Sequence, residues 1–426
     1  MNMNQMKDFS DLESVSVFDE WQQLRHTSKR SIPRASEFGK EIGLEDALSS
    51  IALLGVVGSK GKGTAAVYAS AALAASGSRI GTITSPGVTS NRDRVRINGK
   101  VFTDAQYQVM LERVVKARRR LEAPSAESGY LSPSGLYMLS GLLTIAEAGC
   151  SAAVVEAGIG GRSDELSLLP LDGLMVTEIF NEHAEVLGPT VVDIAKNKLG
   201  ILADRTKFVV SLPQSSAVKE VVERSCAEHG TDLIWVDGTT IVSPDIRYPP
   251  GLNRLNAIAG VRAGCRLSEI ISGVAPSVDR LRNVVKSVNY PGRLSTHMAG
   301  DHQVVVDSAI SRNGLTTALV YAKSYFGHEP ETVFVSVPRN KDFDGFVEEL
   351  RGVAAKKVFV NMAQSHLPYP AKNEWPWDWI ELTGIGTVLS TGDALVIGTA
   401  TFSAHVLQLL NAQVESIFDP SATARA

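Results

Sequence analysis

The residues with the clearest chemical potential form a glycine-rich turn made of Gly58, Ser59, Lys60, Gly61, Lys62, Gly63 and Thr64. Glycines let a backbone wrap an anion, and the N–H groups that open a following helix attract negative charge. Lys62 could then reach the terminal phosphates of a nucleotide, and a hydroxyl near Thr64 could ligate Mg²⁺. Gly63 separates the lysine from the hydroxyl, so the turn departs from the common P-loop spacing. The alternative is a turn that serves only tight packing.

Three further polar side chains, Ser85, Glu156 and His183, each follow an apolar run that predicts a buried strand. Ligands of open α/β sheets gather at the carboxyl ends of strands, so we expect these side chains to face the same crevice as Lys62. A carboxylate at this edge suits Mg²⁺. For Glu156 the alternative is a salt bridge to an arginine such as Arg162, and for His183 it is a structural hydrogen bond.

A predicted helix at residues 192–201 carries two lysines, Lys196 and Lys198. Two residues apart on a helix, these side chains point in different directions. Apolar neighbours on one face indicate that Lys198 is turned inward. The simpler alternative is that both lysines are solvated.

These residues need strands and helices in alternation to bring them together. Apolar runs predict strands at residues 53–57, 79–84, 152–156, 173–177 and 208–212, and helices at 65–75, 134–148, 192–201 and 216–229. This order predicts an α/β fold with a P-loop-type, doubly wound, mostly parallel sheet. After the punctuation near Pro291-Gly292, a second series predicts a smaller Rossmann-like α/β domain. We therefore divide the chain into residues 1–288 and 289–426.

Between the second and third predicted strands lies a segment at residues 91–101 that alternates in polarity and contains Asn98-Gly99, which predicts a hairpin. Its arginines, Arg92, Arg94 and Arg96, could clamp an acidic substrate. The alternative is that they are solvated on an exposed hairpin.

The bulk composition excludes several classes of protein. The chain of 426 residues is 44% hydrophobic and 21% charged, and its net charge of −4 gives no reason to expect a nucleic acid or an anionic membrane as partner. Three scattered cysteines speak against a disulfide framework or a zinc site. No stretch reaches 18 consecutive apolar residues. The polar first 20 residues lack the apolar region of a signal peptide, so we expect a cytoplasmic protein.

Taken in order, these segments resemble the Mur ligase superfamily and, within it, the folylpolyglutamate synthase and dihydrofolate synthase branch. The match is collinear from residue 50 to about residue 400. Its motifs are residues 58–64, 84–86, 94–99, 156–162 with Asp164, His183 with Leu187-Gly188, Lys198 with Gly200-Ile201, 291–294, Asp307 with Ala309, and Lys341-Asp342.

The resemblance implies an ATP-dependent amide ligase in which a small-molecule carboxylic acid is phosphorylated, an amine or amino acid attacks the acyl phosphate, and ADP and phosphate leave. It implies that Lys62 holds the phosphates and that Ser85, Glu156 and His183 ligate Mg²⁺, with Thr64 on nucleotide or metal. Lys198 matches a lysine that family members carbamylate to hold a second Mg²⁺. Members of this branch are usually monomers, and we expect the same here.

The resemblance also implies that residues 1–288 form the ATP-binding domain and residues 289–426 the C-terminal domain of the Mur ligase type. From the second domain, Arg293 and Asp307 are expected to complete the nucleotide site. The catalytic residues implied by the resemblance are Lys62, His183, Lys198 and Asp307. Here the sequence departs from the family, whose Asp-Gly-Ala-His-Asn-Pro is replaced by Asp307-Ser308-Ala309-Ile310-Ser311-Arg312.

Loss of the family's histidine and asparagine leaves three alternatives open. We favour a ligase re-tuned to a non-folate biosynthetic substrate. The others are a genuine folylpolyglutamate or dihydrofolate synthase, and a nucleotide-binding partner protein that has lost ligation.

Overall fold

A computed structural model describes residues 9–240, 246, 248–249, 252–362 and 367–422. Its described residues form two compact units. The first contains the described residues of Met1–Tyr248, Leu255–Val288 and Glu415–Ala426, and the second those of Pro249–Arg254 and Asn289–Val414. The end of the chain therefore belongs to the first unit, whereas the sequence placed it with the second. As functional domains, residues 1–288 and 289–426 stay a prediction.

The first unit is built on an eight-stranded sheet in the order β4-β3-β2-β5-β1-β6-β7-β8. Its strands are β1 Ala52–Val57, β2 Ile80–Ile83, β3 Val95–Ile97, β4 Lys100–Val101, β5 Ala152–Glu156, β6 Gly173–Val176, β7 Phe208–Ser211 and β8 Asp232–Trp235. Six of them run parallel, and the β3–β4 hairpin pairs antiparallel with β2. The predicted α/β fold with a mostly parallel sheet is confirmed.

Helices alternate with most strands of this sheet along the chain, as the sequence predicted. They are α1 Ser10–Glu13, α2 Asp19–Leu24, α3 Ile32–Glu41, α4 Leu44–Leu48, α5 Lys62–Ala74, α6 Asp104–Arg118, α7 Pro133–Glu147, α8 Ala184–Leu187, α9 Val191–Leu199, α10 Ser216–Glu228, α11 Leu252–Ser272 and α12 Val278–Lys286. No helix among the described residues combines the length and apolarity needed to span a bilayer.

Buried residues fix the position of β1 inside the sheet and of α5, the helix that follows it. β1 has a parallel neighbour on each side, β5 and β6, and its residues Leu53 to Val57 are buried. The small residues of α5 let this helix come close to α11, where a Cβ added to Gly260 would overlap the backbone of Ala65. Buried small and branched residues therefore hold the start of α5 at the end of β1.

The second unit contains a six-stranded sheet in the order β13-β12-β11-β14-β10-β9. Its elements are β9 Ser295–Ala299, β10 His302–Asp307, α13 Arg312–Phe326, β11 Thr332–Ser336, α14 Phe343–Leu350, β12 Lys356–Asn361, β13 Asp378–Glu381, α15 Ile385–Val388, β14 Ala394–Gly398 and α16 Ala400–Leu409. The sheet is parallel except for β9, which runs antiparallel to β10.

Candidate functional site

The sheet order brings the ends of four neighbouring strands to one edge. β2, β5, β1 and β6 are adjacent and parallel, so the segments that follow them leave from the same side. Ser85 follows β2, Glu156 ends β5, the glycine-rich turn follows β1, and His183 lies beyond β6. The structure thus places the starting points of all four predicted segments along one edge of the sheet.

The glycine-rich turn has a backbone that only glycine fits. Gly58 has a φ of +137° and Gly61 a φ of +82°, in the range that L side chains rarely adopt. A Cβ on Gly58 would overlap the side chain of Thr177, and one on Gly61 would overlap Asn256. Gly61 is the N-cap of α5, so the turn leads directly into the N–H groups that open this helix. Such a cradle suits a phosphate group.

Ser59 ties the turn to the segment after β6. Its Oγ donates to the carbonyl oxygen of Phe180 at 3.2 Å and accepts from the backbone N–H of Phe180 at 3.1 Å. The backbone N–H of Ser59 donates to the carbonyl oxygen of Glu178 at 2.8 Å. Lys60, next to it, is exposed and its ammonium lies 5.6 Å from the ring centroid of Phe180. The turn is therefore fixed before any nucleotide binds.

Two lysines meet at the turn. Lys62 Nζ donates to the carbonyl oxygen of Gly58 at 3.1 Å, and Lys198 Nζ donates to the same oxygen at 2.9 Å. Lys198 is 1% exposed and also donates to Glu182 Oε1 at 2.8 Å. Burial lowers the pKa of Lys198, the charge of Lys62 lowers it further, and Glu182 opposes both. Two amines at one carbonyl concentrate positive charge where terminal phosphates would lie.

The inward position of Lys198 follows from how α9 begins. Thr190 caps the helix in a reciprocal capping box with Asp193. The apolar face of α9 is buried, including Ile194, Ala195 and Leu199. Lys196, in contrast, is exposed, so the two lysines do point in different directions.

Ser85 and Glu156 form the core of the predicted metal site. The backbone N–H of Ser85 donates to Glu156 Oε2 at 2.9 Å, and Glu156 is 5% exposed. Hydroxyls and carboxylates both supply hard oxygen ligands, and Mg²⁺ at nucleotide sites uses one or two protein ligands plus phosphates and water. The described residues contain no group of three or more His, Cys, Asp or Glu side chains that could hold a metal by themselves. The donor set therefore fits a Mg²⁺ that arrives with a nucleotide.

The glycine turn after Glu156 rests on a buried ionic cluster that the sequence did not reveal. Asp164 Oδ2 accepts from the backbone N–H groups of Gly158 and Ile159 at 3.0 and 3.1 Å. The same oxygen accepts from Arg30 at 3.0 Å. Arg30 also binds Glu165 through two nitrogens, and both carboxylates are 0% exposed. Asp164 belongs to the motifs that resemble the family, whereas no sequence pattern near Arg30 or Glu165 indicated this cluster.

The alternative partner of Glu156, Arg162, lies elsewhere. Its guanidinium lies beside Gly200, and its backbone N–H donates to the carbonyl oxygen of Asn197 at 2.8 Å. The metal role of Glu156 stays a prediction.

His183 is the most exposed of the predicted ligands. Its side chain is 40% exposed, its φ is +46°, and its Nδ1 lies 3.6 Å from Glu185 Oε1. Thr64, in contrast, is 3% exposed in the first turn of α5. The roles proposed for both side chains stay predictions.

Asn256 is a neighbour of the turn that sequence reasoning missed. It lies in α11, is 6% exposed, and its side-chain amide faces Gly61. The only available signal was a polar residue in an otherwise apolar helical stretch, Asn256-Ala257-Ile258-Ala259.

In the second unit, Asp307 is bound to the turn that contains Arg293. Its carboxylate accepts from the backbone N–H groups of Leu294 at 2.8 Å and Ala309 at 2.9 Å. Burial raises the pKa of Asp307, and the charge of Arg293 together with the two N–H donors opposes that shift. Arg293 Nη1 donates to the carbonyl oxygen of Gly292 at 2.9 Å. The catalytic role predicted for Asp307 and the nucleotide contact predicted for both residues stay predictions.

One alternative held that the arginines of the hairpin are solvated on an exposed surface. The structure does not support it. Arg96 is 1% exposed, and Arg94 is half-buried beneath the ring of Tyr137, with its guanidinium carbon 5.1 Å from the ring centroid. Arg92 forms ion pairs with Asp104 and Glu415 at 2.8 and 2.7 Å. Strand β3 of the short hairpin, which contains Arg96, pairs with β2.

Comparison with known proteins gives a consistent set of relatives, although no protein-family model matches the chain. It is 26% identical over 252 residues to the dihydrofolate synthase/folylpolyglutamate synthase of Escherichia coli, a match that covers 56% of each chain. It is 24% identical over 330 residues to dihydrofolate synthetase of Saccharomyces cerevisiae, covering 71% of this chain and 74% of the yeast protein.

Among solved structures, the fold is similar to folylpolyglutamate synthase of Mycobacterium tuberculosis complexed with ADP and AMPPCP. The TM-score is 0.77 at 21% identity, and the match covers 94% of this chain and 99% of the other. The resemblance drawn from the motifs is thereby confirmed, and the chain is similar in sequence and in fold to the folylpolyglutamate and dihydrofolate synthases of the Mur ligase superfamily.

Proposed function

We propose that this protein is an ATP-dependent amide ligase of the folylpolyglutamate/dihydrofolate synthase type. It would phosphorylate the carboxylate of a pteroate or folate and join it to the amino group of glutamate, with release of ADP and phosphate. The observation that carries the proposal is the pair of lysines, Lys62 and Lys198, on the carbonyl oxygen of Gly58 at the mouth of a glycine-only turn.

Each residue of this edge has a task in phosphoryl transfer, which depends mainly on positioning and on charge stabilisation. The N–H groups at the start of α5 would bind the phosphates. Lys62 would move from Gly58 to the terminal phosphate, while Lys198 keeps its buried contacts to the turn and to Glu182.

Mg²⁺ would be held by Ser85 and Glu156, with His183 and Thr64 as further candidates. When bound, it would neutralise negative charge on the phosphates and on the transferring group. A second Mg²⁺ at a carbamylated Lys198 is expected only from the family resemblance. In the structure, Lys198 Nζ is used as a hydrogen-bond donor to Gly58 and Glu182.

The substrate is proposed from the relatives. The similar proteins in Escherichia coli and Saccharomyces cerevisiae are named as dihydrofolate and folylpolyglutamate synthases, so a folate-type acid has support and a non-folate acid has none. The altered motif after Asp307 remains the main difference from the family. Because Asp307 is held by backbone N–H groups, its turn does not depend on the missing histidine and asparagine.

A direct assay tests this proposal. The purified chain is supplied with ATP, Mg²⁺ and glutamate, together with dihydropteroate or tetrahydrofolate, and ADP and product mass are followed. We expect ADP release that needs both the acid and glutamate, and a product that is heavier by one glutamyl residue. Lys62→Ala should abolish turnover, whereas Lys196→Ala, on the exposed face of α9, should retain it.

Three outcomes would count against parts of the proposal. Release of AMP and pyrophosphate would overturn the ligase chemistry. Turnover with a non-folate acid alone would overturn the substrate and keep the reaction type. ATP binding without turnover across a broad panel of acids and amines would favour a partner protein that has lost ligation.

A further inference from the structure

Arg94 is a half-buried cation at the candidate site, and the sequence left open whether it binds an acidic substrate. It lies between β2 and the hairpin, and its Nη1 donates to Ser85 Oγ at 3.3 Å. Its Nε donates to Asn91 Oδ1 at 2.9 Å. Among the residues that the structure describes, these are the side-chain hydrogen bonds of Arg94, so Nη2 is left to bind something else. The side chain is half-buried, and a solute can reach it.

The charge of Arg94 is not matched by a direct ion pair. Within the described ranges, no carboxylate oxygen lies within 4.0 Å of its guanidinium nitrogens. The carboxylates of Asp93 and Glu13 act on it only through space, and burial is the largest influence and lowers its pKa. Asp93 is already bound to backbone N–H groups of Val88, Thr89 and Ser90. A buried guanidinium without a paired carboxylate is costly unless an anion joins it.

Four side chains hold Arg94 in place from behind. The ring of Tyr137 lies against the guanidinium, and the hydroxyls of Tyr137 and Tyr107 are hydrogen-bonded to each other at 3.2 Å. Glu13 accepts from Tyr107 Oη at 2.6 Å and from Asn91 Nδ2 at 2.7 Å. Because Asn91 in turn accepts from Arg94, the chain of contacts fixes the orientation of the guanidinium. A preorganised arginine loses little entropy when it binds a planar anion.

The position of Arg94 along the edge of the sheet determines which anion it can bind. Ser85 follows β2, and β2 is two strands away from β1, whose turn would hold the nucleotide. With strands about 4.8 Å apart, the two points are separated by roughly 10 Å along the edge. Lys62 and Lys198 lie at the nucleotide end, and Ser85 with Glu156 lies between them and Arg94. Arg94 therefore lies beyond Ser85 and Glu156, on the side away from the two lysines.

We propose that Arg94 binds the carboxylate of the acid substrate and orients it toward the terminal phosphate of ATP. This inference rests on the proposed ligase function. The guanidinium would offer Nη2 and the second N–H of Nη1 to the two oxygens of the carboxylate, while Nη1 keeps its hydrogen bond to Ser85. Glu13, Asn91, Tyr107 and Tyr137 would serve as positioning residues for this contact.

The test compares Arg94→Gln with Arg92→Gln, a matched substitution in the same hairpin whose arginine pairs with the exposed carboxylates of Asp104 and Glu415. Steady-state kinetics are measured with dihydropteroate as the acid, and AMPPCP binding is measured by calorimetry. Arg94→Gln should raise the KM for dihydropteroate about 10- to 100-fold, the range expected for a lost hydrogen bond to a charged group. AMPPCP affinity should stay within about twofold. Arg92→Gln should leave the KM for dihydropteroate unchanged.

The outcomes separate this inference from the function on which it rests. An unchanged KM for dihydropteroate in Arg94→Gln, beside a fully active unsubstituted chain, would overturn the inference alone. Equal losses in AMPPCP affinity and in the acid KM would also overturn it, because they would show that Arg94 only supports the fold around Ser85. If Arg94→Gln fails to fold, Arg94→Lys replaces it, and full retention of the acid KM would count against a bidentate contact. Absence of ADP release by the unsubstituted chain would overturn the proposed function and this inference with it.

Discussion

Lys62 and Lys198 donate hydrogen bonds to a single acceptor, the carbonyl oxygen of Gly58, at 3.1 and 2.9 Å. The two amines arrive from different helices, α5 and α9, and differ in their other contacts. Lys198 is buried and also bound to Glu182, whereas Lys62 is half-buried and donates to Gly58. The pair therefore combines one lysine that can leave for a phosphate with one that stays.

This difference predicts distinct effects of the two lysines on nucleotide binding. Lys62→Met should weaken AMPPCP binding by about tenfold or more, the effect of losing one charged hydrogen bond, with little change in melting temperature. Calorimetric titration together with thermal unfolding measures both quantities. Lys196→Met, on the exposed face of α9, is the control and should change neither. A Lys62→Met protein that keeps full AMPPCP affinity would show that Lys62 stays on Gly58 when the nucleotide binds.

Lys198→Met should act on stability as well as on nucleotide binding. The substitution removes the buried donor of the Glu182 carboxylate, which costs about 1–3 kcal/mol, whereas the carbonyl oxygen of Gly58 keeps Lys62 as a donor. Urea unfolding of Lys198→Met beside Lys62→Met measures the difference. Equal stability of the two variants would contradict the supporting role given to Lys198.

The Ser85–Glu156 pair predicts a change in metal dependence. Glu156→Gln keeps the shape of the side chain and an oxygen acceptor for the Ser85 N–H but removes the charge that Mg²⁺ needs. We expect the Mg²⁺ concentration for half-maximal activity to rise about tenfold or more, since charge-assisted contacts are the stronger ones. A titration of ADP release against Mg²⁺ measures it. An unchanged Mg²⁺ requirement would place the metal elsewhere.

Glu165→Gln provides the matched contrast, because this carboxylate lies in the buried cluster with Arg30 and Asp164. Removing one partner of a buried ion pair destabilises a protein by about 3–5 kcal/mol. We expect a lower free energy of unfolding in urea and an unchanged Mg²⁺ requirement. If Glu165→Gln instead shifted the Mg²⁺ requirement and left stability intact, the cluster would be part of the metal site.

Local patterns predicted the parts of the fold that depend on local chemistry. The apolar run before Gly58 and the run before the Glu156 carboxylate gave β1 and β5 to within one residue, because buried parallel strands need continuous apolar residues. The Asn98-Gly99 turn was predicted from another local preference, because Asn and Gly tolerate the positive φ that both residues adopt. The sheet edge that carries the site followed from the order of these runs.

Contacts between distant parts of the chain left no such pattern. Arg30 and Glu165 are 135 residues apart, and nothing near either residue indicates the other. Strand β13 was missed because its ring contacts, such as the stacking of Trp379 on Phe359 at 4.6 Å, are tertiary.

His297 gives a prediction for the pH dependence of stability that does not involve the candidate site. Burial lowers the pKa of His297 to about 4, and its Nε2 lies 2.7 Å from Ser295 Oγ. An unfolded histidine has a pKa of about 6.5, so the unfolded chain takes up a proton first as pH falls. The neutral imidazole thus adds stability above pH 6.5 that is lost between about pH 6.5 and pH 4.

This loss is at most about 3 kcal/mol for one half-buried group. His297→Gln retains a hydrogen-bonding side chain for Ser295 but cannot titrate, so the difference in unfolding free energy between the unsubstituted chain and this variant should shrink as pH falls through that window. Urea unfolding at pH 7.5, 6, 5 and 4.5 measures it, with the exposed His26→Gln as control. A difference that stays constant from pH 7.5 to pH 4.5 would contradict the buried, neutral imidazole, because only a group that titrates differently in the two states can change the slope of stability with pH.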